Sequence, residues 1–313
     1  MLGVITIVFT LTYFTPGDPV AQVLGADYTP EIYEAKKIEM GLDRPFIEQL
    51  GSYLFKVVTK LDLGKSYMTY IPVSQSLVAR IPVSMRLSLM GICLMVLIGL
   101  PLGILQALKQ YSVLDISLTS LSLILAAIPG YVLALLCLMV FGVMLRWVPI
   151  TGLVGWKGYI LPIFCAAGGG IAAYARMTRA TMLEVIRQDY IRTARAKGQT
   201  EGKIVLKHAL KNCMIPLTTI IGAQVASMFG GSVIVETIYS VPGMGTYMLQ
   251  GIQQRDYPVV NGVVCVISLL ICVINLLVDV MYSYIDPRIK AEFSSSKKRI
   301  KAAKGLLSAG EGK

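Results

Sequence analysis

Long apolar runs separated by short polar segments dominate this chain. Uncharged runs long enough to cross a bilayer, which takes about 17–25 residues, occupy 87–108, 116–145, 213–235 and 259–278. A shorter run at 159–175 is interrupted only by a proline and three glycines. Together with the apolar first 14 residues, these runs predict an all-α, polytopic membrane protein with six transmembrane helices.

The first apolar run is too short for a full span. It lacks the basic start and the small-residue exit of a cleaved signal peptide, so we interpret it as part of a first transmembrane helix. Two explanations of its length are open: a chain start placed too late, which we favour, and a first helix that is truly short.

Basic residues are distributed unequally among the polar segments, and this asymmetry predicts an orientation. The segment 176–211 holds nine basic and three acidic residues, and the tail 286–313 holds eight and three. The segment 16–80 holds seven basic residues against eight acidic ones. Because cytoplasmic loops carry the excess of Lys and Arg, we expect both termini and 176–211 to be cytoplasmic and 16–80 to be outside. Topology then accounts for the net charge of +11, and we predict no nucleic-acid partner.

The segment 16–80 predicts two helices outside the membrane. A charged stretch at 30–40 predicts a short surface helix, and 46–61 carries one apolar stripe at helical spacing. We expect a helical cap on the outer membrane face that contacts a binding protein or the mouth of a pathway; interfacial decoration without a partner is the alternative. The stripe consists of Phe46, Ile47, Leu50, Tyr53, Leu54, Val57, Val58 and Leu61.

Few side chains within the apolar runs could carry chemistry. Gln224, Asn261 and Asn275 are candidates for lining a pathway, because polar residues at membrane depth usually face a bundle interior or a cavity. Hydrogen bonding between helices is the alternative for them. We predict no catalytic residue and no metal site, and we interpret the cysteines, which lack metal-type spacing, as small packing residues. They are Cys93, Cys137, Cys165, Cys213, Cys265 and Cys272.

The polar stretch 189–212 lies between two apolar runs and still has apolar residues at helical spacing. It carries six basic residues, and Gly198 divides it into halves. The sequence KGQTEGK around this glycine predicts a turn, with Thr200 as the N-cap of the second half. We therefore predict two short helices at an angle, which together form a surface that seats in a groove of another protein.

RTARAKG at 192–198, followed by HALKN at 208–212, resembles the cytoplasmic coupling motif of ABC importer permeases of the dipeptide, oligopeptide and nickel type. The general motif has Glu-Ala-Ala three residues before a glycine and Ile-x-Leu-Pro nine residues after it. Here 192–194 and 208–211 occupy those positions, so the match to the general motif is partial. The resemblance covers roughly residues 4–290. Further matching blocks are TPGDP (15–19), GLDRP (41–45), LDLGKSY (61–67), VETIYSVPGMG (235–245), RDYPVV (255–260) and NLLVDVMYSYIDPRIK (275–290).

The resemblance implies a type I ABC importer permease fold and the membrane-spanning subunit of a binding-protein-dependent importer in a prokaryotic plasma (inner) membrane. It implies four kinds of partner: a second, homologous permease in a heterodimer, two ABC ATPase subunits, an extracytoplasmic substrate-binding protein and the lipid membrane. The chain contains no G-x-x-x-x-G-K-[ST] loop, so we expect it to bind no cofactor and ATP–Mg to be held by the ATPase subunits.

The residues implied for ATPase coupling lie around Gly198. We expect a basic rim that meets the ATPase surface, while two alanines and the glycine allow close backbone approach. The coupling residues are Arg192, Thr193, Ala194, Arg195, Ala196, Lys197, Gly198, His208 and Leu210.

Three parts of the chain follow from the resemblance. Residues 1–80 hold the first transmembrane helix and the extracytoplasmic helical segment. Residues 81–285 form a permease domain of five transmembrane helices, with the coupling segment at 181–213. Residues 286–313 form a basic cytoplasmic tail.

Di- and oligopeptides are the cargo that the resemblance implies, although nickel or another metal chelate, or an opine, would use the same architecture. A secondary transporter is the more remote alternative, because it would need inverted repeats and ionisable residues near the middle of the membrane. A membrane enzyme would need a catalytic cluster, whereas the only histidine, His208, lies in the coupling motif. We interpret it as a hydrogen-bonding residue of an interface.

Overall fold

Helices make up most of the described chain, as the apolar runs predict. The computed structural model describes the backbone of residues 2–285, and the side chains within it except those at 215, 226–231, 279 and 281–285. The predicted basic tail, 286–313, lies outside the described residues. In chain order the helices are α1 (Leu2–Phe14), α2 (Pro19–Leu24), α3 (Pro30–Glu39), α4 (Phe46–Lys60), α5 (Val73–Leu108), α6 (Val113–Ala127), α7 (Gly130–Cys137), a π-helical turn (Leu138–Met144), α8 (Lys157–Ile186), α9 (Asp189–Ala196), α10 (Glu201–Lys203), a second π-helical turn (Ile204–Ala209), α11 (Leu210–Ile238), α12 (Met244–Gln253) and α13 (Tyr257–Ile285).

Three helices are long and apolar enough to cross a membrane: α5, α8 and the Tyr257–Val278 part of α13. Two bent pairs would each add one span, namely Val113–Ala127 with Gly130–Met144, and Glu201–Met214 with Pro216–Val225. The described residues therefore give up to five spans, and α1, with 13 residues, is a shorter apolar helix. The helical membrane fold is confirmed, whereas six full spans are not reached.

The run 116–145, predicted as one span, is broken in the structure. Its two halves are bent by 100° between α6 and α7. Ile128 is extended, with φ −79° and ψ 121°, because the ring of the following Pro129 disfavours the helical conformation of the residue before it. Pro129 then stands directly before α7.

α5 and α8 extend well beyond the apolar runs that predict them. α5 begins at Val73 rather than at 87, and α8 continues to Ile186 rather than ending at 175. An apolar run marks the part of a helix that suits hydrocarbon, whereas backbone hydrogen bonding continues through polar residues at either end.

Small residues bring α5 and α8 close together. A Cβ atom at Gly103 would lie 2.5 Å from the carbonyl oxygen of Ala175 and 2.5 Å from Cβ of Thr178. A Cβ at Gly99 would lie 3.1 Å from the carbonyl oxygen of Ile171. This contact is of the kind that small residues permit between membrane helices.

Both helices predicted in the outer segment are present, as α3 and α4. α4 packs against α1 through aromatic rings: Phe9 stacks on Tyr53 with 5.3 Å between ring centroids, and Phe46 lies 5.0 Å from Tyr13. One part of the stripe therefore packs on α1, and the position of this cap on the outer membrane face stays a prediction. The remainder is exposed, at Ile47, Val58 and Leu61.

The packing role predicted for the cysteines holds for four of the six. Cys137, Cys165, Cys213 and Cys265 are buried. Cys93 and Cys272 are exposed, and the prediction is wrong for them within this chain. An apolar run does not distinguish a buried position from one that faces lipid, because the protein interior and the lipid tails both favour apolar side chains.

Candidate coupling site

The stretch 189–212 forms a helix, a turn and the start of a second helix. α9 ends at Ala196, and α10 leads through the second π-helical turn directly into α11. The predicted break at Gly198 is confirmed. The second helix is not short, however, because it continues into a membrane helix whose axis bends by 54° between Met214 and Pro216.

One face of this segment is packed within the chain itself. Ile191 and Ile204 are fully buried, and they belong to an apolar cluster with Met182 of α8 and Ala107 at the end of α5. Ala194, expected to let another protein approach closely, is only 7 % exposed and lies in this cluster. It therefore helps to hold α9 on the helices behind it and offers little surface to a partner.

The opposite face is exposed and basic, with one apolar side chain among the cations. Leu206 is 66 % exposed. Of the predicted coupling residues, His208 and Leu210 are half-buried, while the residues on either side of Ala194 are exposed. The exposed coupling residues are Arg192, Thr193, Arg195, Ala196, Lys197 and Gly198. Two further lysines, Lys203 and Lys207, are exposed on the same segment.

Gly198 lies at the tip of the turn in a left-handed conformation, with φ +70°. Its amide donates a hydrogen bond of 2.9 Å to the carbonyl oxygen of Arg195, which closes the end of α9. A Cβ atom built on Gly198 would meet nothing within 4 Å in this chain. The glycine is thus required by the backbone conformation of the turn, because β-branched residues are strained at positive φ.

Side chains also hold the two arms of the turn together. Arg195 contacts Glu201 through two hydrogen bonds, of 2.7 and 3.2 Å, and this guanidinium lowers the pKa of the Glu201 carboxyl. The Nε2 atom of His208 lies 2.7 Å from Oε1 of Gln199. One ring nitrogen of the histidine is therefore used within the turn. Thr200 is the N-cap residue of α10, as predicted, although its hydroxyl makes no capping hydrogen bond.

An ion pair that the sequence did not reveal ties this end of α8 to α6. Arg179 donates two hydrogen bonds of 2.7 Å to the carboxylate of Asp115, which is 2 % exposed. Asp115 also accepts the backbone amide of Tyr111 at 3.0 Å. Bidentate arginine–carboxylate pairs are geometrically specific, so the polar turn between α5 and α6 is fixed relative to the helix that leads into α9.

The structure does not bring the three candidate pathway residues together. Asn261 is 5 % exposed and accepts a hydrogen bond of 3.3 Å from the hydroxyl of Thr12, which favours bonding between helices over lining a pathway. Gln224 is half-buried, and Asn275 lies on an exposed face of α13. Pathway lining stays a prediction for these two residues.

At the opposite end of the molecule, three sequence blocks that are far apart in the chain converge around Asp256. The hydroxyl of Ser66 and the amide of Tyr67, both in LDLGKSY, donate to the Asp256 carboxylate, the amide at 3.0 Å. The Arg255 guanidinium passes so close to Gly17 of TPGDP that a Cβ there would lie 2.3 Å from its Cζ. Single blocks gave no signal of this assembly, because its contacts join residues about 190 positions apart along the chain.

A second carboxylate ties α5, α11 and α12 together at the same end. Glu236 is fully buried; it accepts the Ser84 hydroxyl at 2.6 Å and the amide of Gly245 at 2.7 Å. A Cβ at Gly243 would lie 2.4 Å from the Glu236 carboxyl group. These contacts give a physical reason for the acid and the glycines in VETIYSVPGMG, which the sequence analysis identified only as a matching block.

Among the described residues, no group of three or more His, Cys, Asp or Glu side chains is placed to hold a metal ion. The contacts of the coupling segment hold its buried face against α5 and α8 and leave its basic face exposed. Such a surface can bind another protein, and the continuous backbone from α10 into α11 can transmit its movement.

Comparison with known proteins gives two family matches. Residues 99–291 match the family described as "Binding-protein-dependent transport system inner membrane component", and residues 1–88 match the N-terminal part of such components. The chain is similar to a peptide transport system permease protein of Brucella abortus (strain 2308), with 38% identity over 93% of this chain and 95% of that protein. The coupling segment and Glu236 lie within the first match, whereas Ser84, which donates to Glu236, lies within the second.

Two further relatives and one solved structure extend this likeness. Identity is 35% to the dipeptide transport system permease protein DppB of Alkalihalophilus pseudofirmus, over 93% of this chain and 95% of that protein. Identity to the glutathione transport system permease protein GsiC of Escherichia coli O6:H1 is 34%, over 91% of this chain and 92% of that protein. A chain of the inward-facing MetNI methionine ABC transporter superposes with a TM-score of 0.60 at 21% identity, over 68% of this chain and 97% of that chain, and so has the same fold.

Proposed function

The chain belongs to the family of binding-protein-dependent transport system inner membrane components, and on that premise we propose that it forms part of the pathway of an ATP-driven importer of short peptides. It is a permease subunit rather than an enzyme, so hydrolysis of ATP is supplied by other subunits. The peptide cargo rests on the names of relatives: peptide, dipeptide and glutathione permeases that match over most of this chain.

The observation that carries the proposal is the two-faced coupling segment. Its inner face, with Ile191 and Ile204, is fully buried against α5 and α8, while its outer face around Lys197 and Gly198 is exposed. A loop that only set the topology would need the charges but not the buried face. A segment with both can receive a rigid-body displacement from a partner and pass it to α8 and α11.

Four kinds of partner complete the importer in this proposal. A second, homologous permease pairs with this chain, and two ABC ATPases that hold ATP–Mg dock on the coupling segments. A substrate-binding protein delivers cargo at the opposite end, where α4 and the Asp256 assembly lie. Both chain termini are cytoplasmic, as the basic-residue asymmetry predicts, and the pathway runs between the two permeases, with Gln224 and Asn275 as candidate lining residues.

The test is reconstitution of the full importer with its own ATPases, second permease and binding protein in lipid nanodiscs. We expect ATP hydrolysis to rise when the binding protein carries a di- or oligopeptide, and not when it is empty. Stimulation by a nickel chelate or an opine, without stimulation by peptides, would support the permease role but show that the cargo is not a peptide. Solute uptake without ATP hydrolysis would contradict the proposal and favour a secondary transporter.

A further inference from the structure

Both tryptophans of the chain border one groove, at the end of α8 remote from the coupling segment. Trp147 and Trp156 are 62% and 74% exposed. The groove has a volume of about 360 Å³ and lies between the first π-helical turn and the start of α8. Phe141, Ile160 and Phe164 contribute to its walls. Two large aromatic side chains at one open, apolar site form a surface that water would solvate poorly.

The groove is preformed because the loop that carries the tryptophans is tied to the body of the protein. The amide of Gly152 donates a hydrogen bond of 2.8 Å to the carbonyl oxygen of Tyr239. The Tyr239 hydroxyl in turn donates to the carbonyl oxygen of Ala134 at 2.9 Å. Trp147 is held on the turn by its own amide, which donates to the carbonyl oxygen of Phe141 at 2.9 Å. A ligand would therefore find the walls in place.

The groove combines apolar walls with positive charge. Lys157 is exposed and lies in the wall itself, with its Nζ atom 5.9 Å from the centroid of the Trp156 ring. Arg146, which precedes Trp147, is exposed as well. The sequence holds no acidic residue between Asp115 and Glu184, so no carboxylate from this stretch competes for either cation. The complementary ligand is an amphiphile with an apolar tail and an anionic head.

The apolar surface continues from the groove along the neighbouring helix. Leu135, Met139 and Val143 are each about half exposed, on α7 and the π-helical turn. Such a surface is solvated by acyl chains in a membrane, and tryptophan and lysine side chains lie preferentially where the chains meet the headgroups. Tail and head of the ligand would then both be within reach of the same site.

We propose that this tryptophan groove binds an anionic phospholipid of the outer leaflet. An acyl chain packs against Trp147, Trp156 and Phe164, and the lipid phosphate lies beside Lys157. The site selects by headgroup charge, because one cation near a lipid phosphate favours an anionic lipid over a zwitterionic one. Lipid bound here would stabilise the loop that is hydrogen-bonded to Tyr239 at the end of α11.

Intrinsic fluorescence tests the proposal directly, because every tryptophan of the chain lies in the groove. The full chain is reconstituted in phosphatidylcholine nanodiscs that contain increasing mole fractions of brominated phosphatidylglycerol or, in parallel, brominated phosphatidylcholine. We expect half-maximal quenching at about a fivefold lower mole fraction of the anionic lipid. Lys157→Gln should remove most of this preference, and Lys60→Gln, an exposed lysine of α4, should leave it unchanged.

Two results would overturn the proposal. Equal quenching by both brominated lipids, at every mole fraction, would show that the tryptophans meet the bilayer without a headgroup site. Absence of quenching by either lipid would show that lipid does not enter the groove, as expected if a second copy of the chain covers it. If Lys157→Gln unfolds the chain, Lys157→Arg, which keeps the charge, must restore both folding and the preference.

Discussion

The coupling segment and the opposite end of the molecule use charged side chains in different ways. At the opposite end, carboxylates bind the chain to itself: Asp256 accepts the amide of Tyr67, and Glu236 accepts the amide of Gly245. In the coupling segment the cations are exposed, and its internal ion pairs, Arg195 with Glu201 and Arg192 with Asp189, are exposed as well. Buried carboxylates thus assemble the opposite end. At the coupling end, the buried Asp115 and its partner Arg179 fix only the helices behind the coupling segment, whose own cations are left available for a partner.

The difference follows from what each end has to do. A buried carboxylate without partners is costly, so its hydrogen bonds must be complete in the folded chain. Exposed cations are solvated at little cost and gain a partner only on docking, mainly through the rate and specificity of association. Substitutions at the opposite end should therefore impair folding, whereas substitutions in the coupling segment should impair coupling to the ATPase.

The largest expected effect comes from Gly198→Val. A β-branched residue at φ +70° carries strain of about 1–3 kcal/mol, which the turn relieves only by changing shape. In the reconstituted importer we expect stimulated ATP hydrolysis to fall roughly tenfold or more. Gly198→Asn, which tolerates the left-handed conformation, is the matched control and should keep most of the activity.

The Gly198→Val complex should retain its ATPase subunits when purified, because the basic rim is unchanged. Loss of the whole permease from the membrane would instead assign this glycine to folding alone. Normal stimulation with valine at this position would contradict both interpretations.

Glu236→Ala should give the largest loss of stability at the opposite end. It leaves the Ser84 hydroxyl and the Gly245 amide without their acceptor in a buried place, where each unsatisfied group costs about 1–3 kcal/mol. We expect the melting temperature of the purified chain to fall by several degrees. Glu31→Ala, an exposed glutamate of α3, is the control and should not change it. An unchanged melting temperature in Glu236→Ala would break the contrast between the two ends.

Asp256→Ala should be milder, with a loss of about 2 kcal/mol in the free energy of unfolding. It removes the acceptor of Ser66 and Tyr67 but leaves the aromatic packing of α4 on α1 intact. Limited proteolysis of the 61–72 loop should become faster, while ATPase docking is unaffected. Asp27→Ala, which replaces an exposed aspartate of the outer segment 16–80, is the control and should match the wild type. Loss of ATPase docking in Asp256→Ala would show that the two ends are not independent.

The smallest expected effect is that of Lys197→Gln. An exposed charge contributes less than about tenfold to affinity, and its contribution is screened by salt. Binding of the ATPase to the permease should weaken a few-fold at low ionic strength and match the wild type at high salt. The melting temperature of Lys197→Gln should equal that of the wild type at both salt concentrations. An effect that persists at high salt would assign Lys197 to a buried contact.

Features that depend on neighbouring residues in the sequence could be predicted, whereas contacts between distant segments could not. The break at Gly198 and the helix at 46–61 depend on neighbouring residues, and both are confirmed. The bend at Pro129 was missed because apolar character alone says nothing about helix direction. The Glu236 and Asp115 contacts were missed because each joins residues of distant segments, and burial of their partners is a property of packing rather than of spacing.

The most direct test of the account is site-specific photocrosslinking in the assembled importer. A crosslinking amino acid is placed at Ala196, on the exposed face of the coupling segment, or at Lys60, on the exposed part of α4. We predict a covalent adduct with the ATPase from Ala196 and none from Lys60. Adducts with the ATPase from Lys60, or their absence at Ala196 in a complex that hydrolyses ATP, would contradict the claim that this segment is the docking surface.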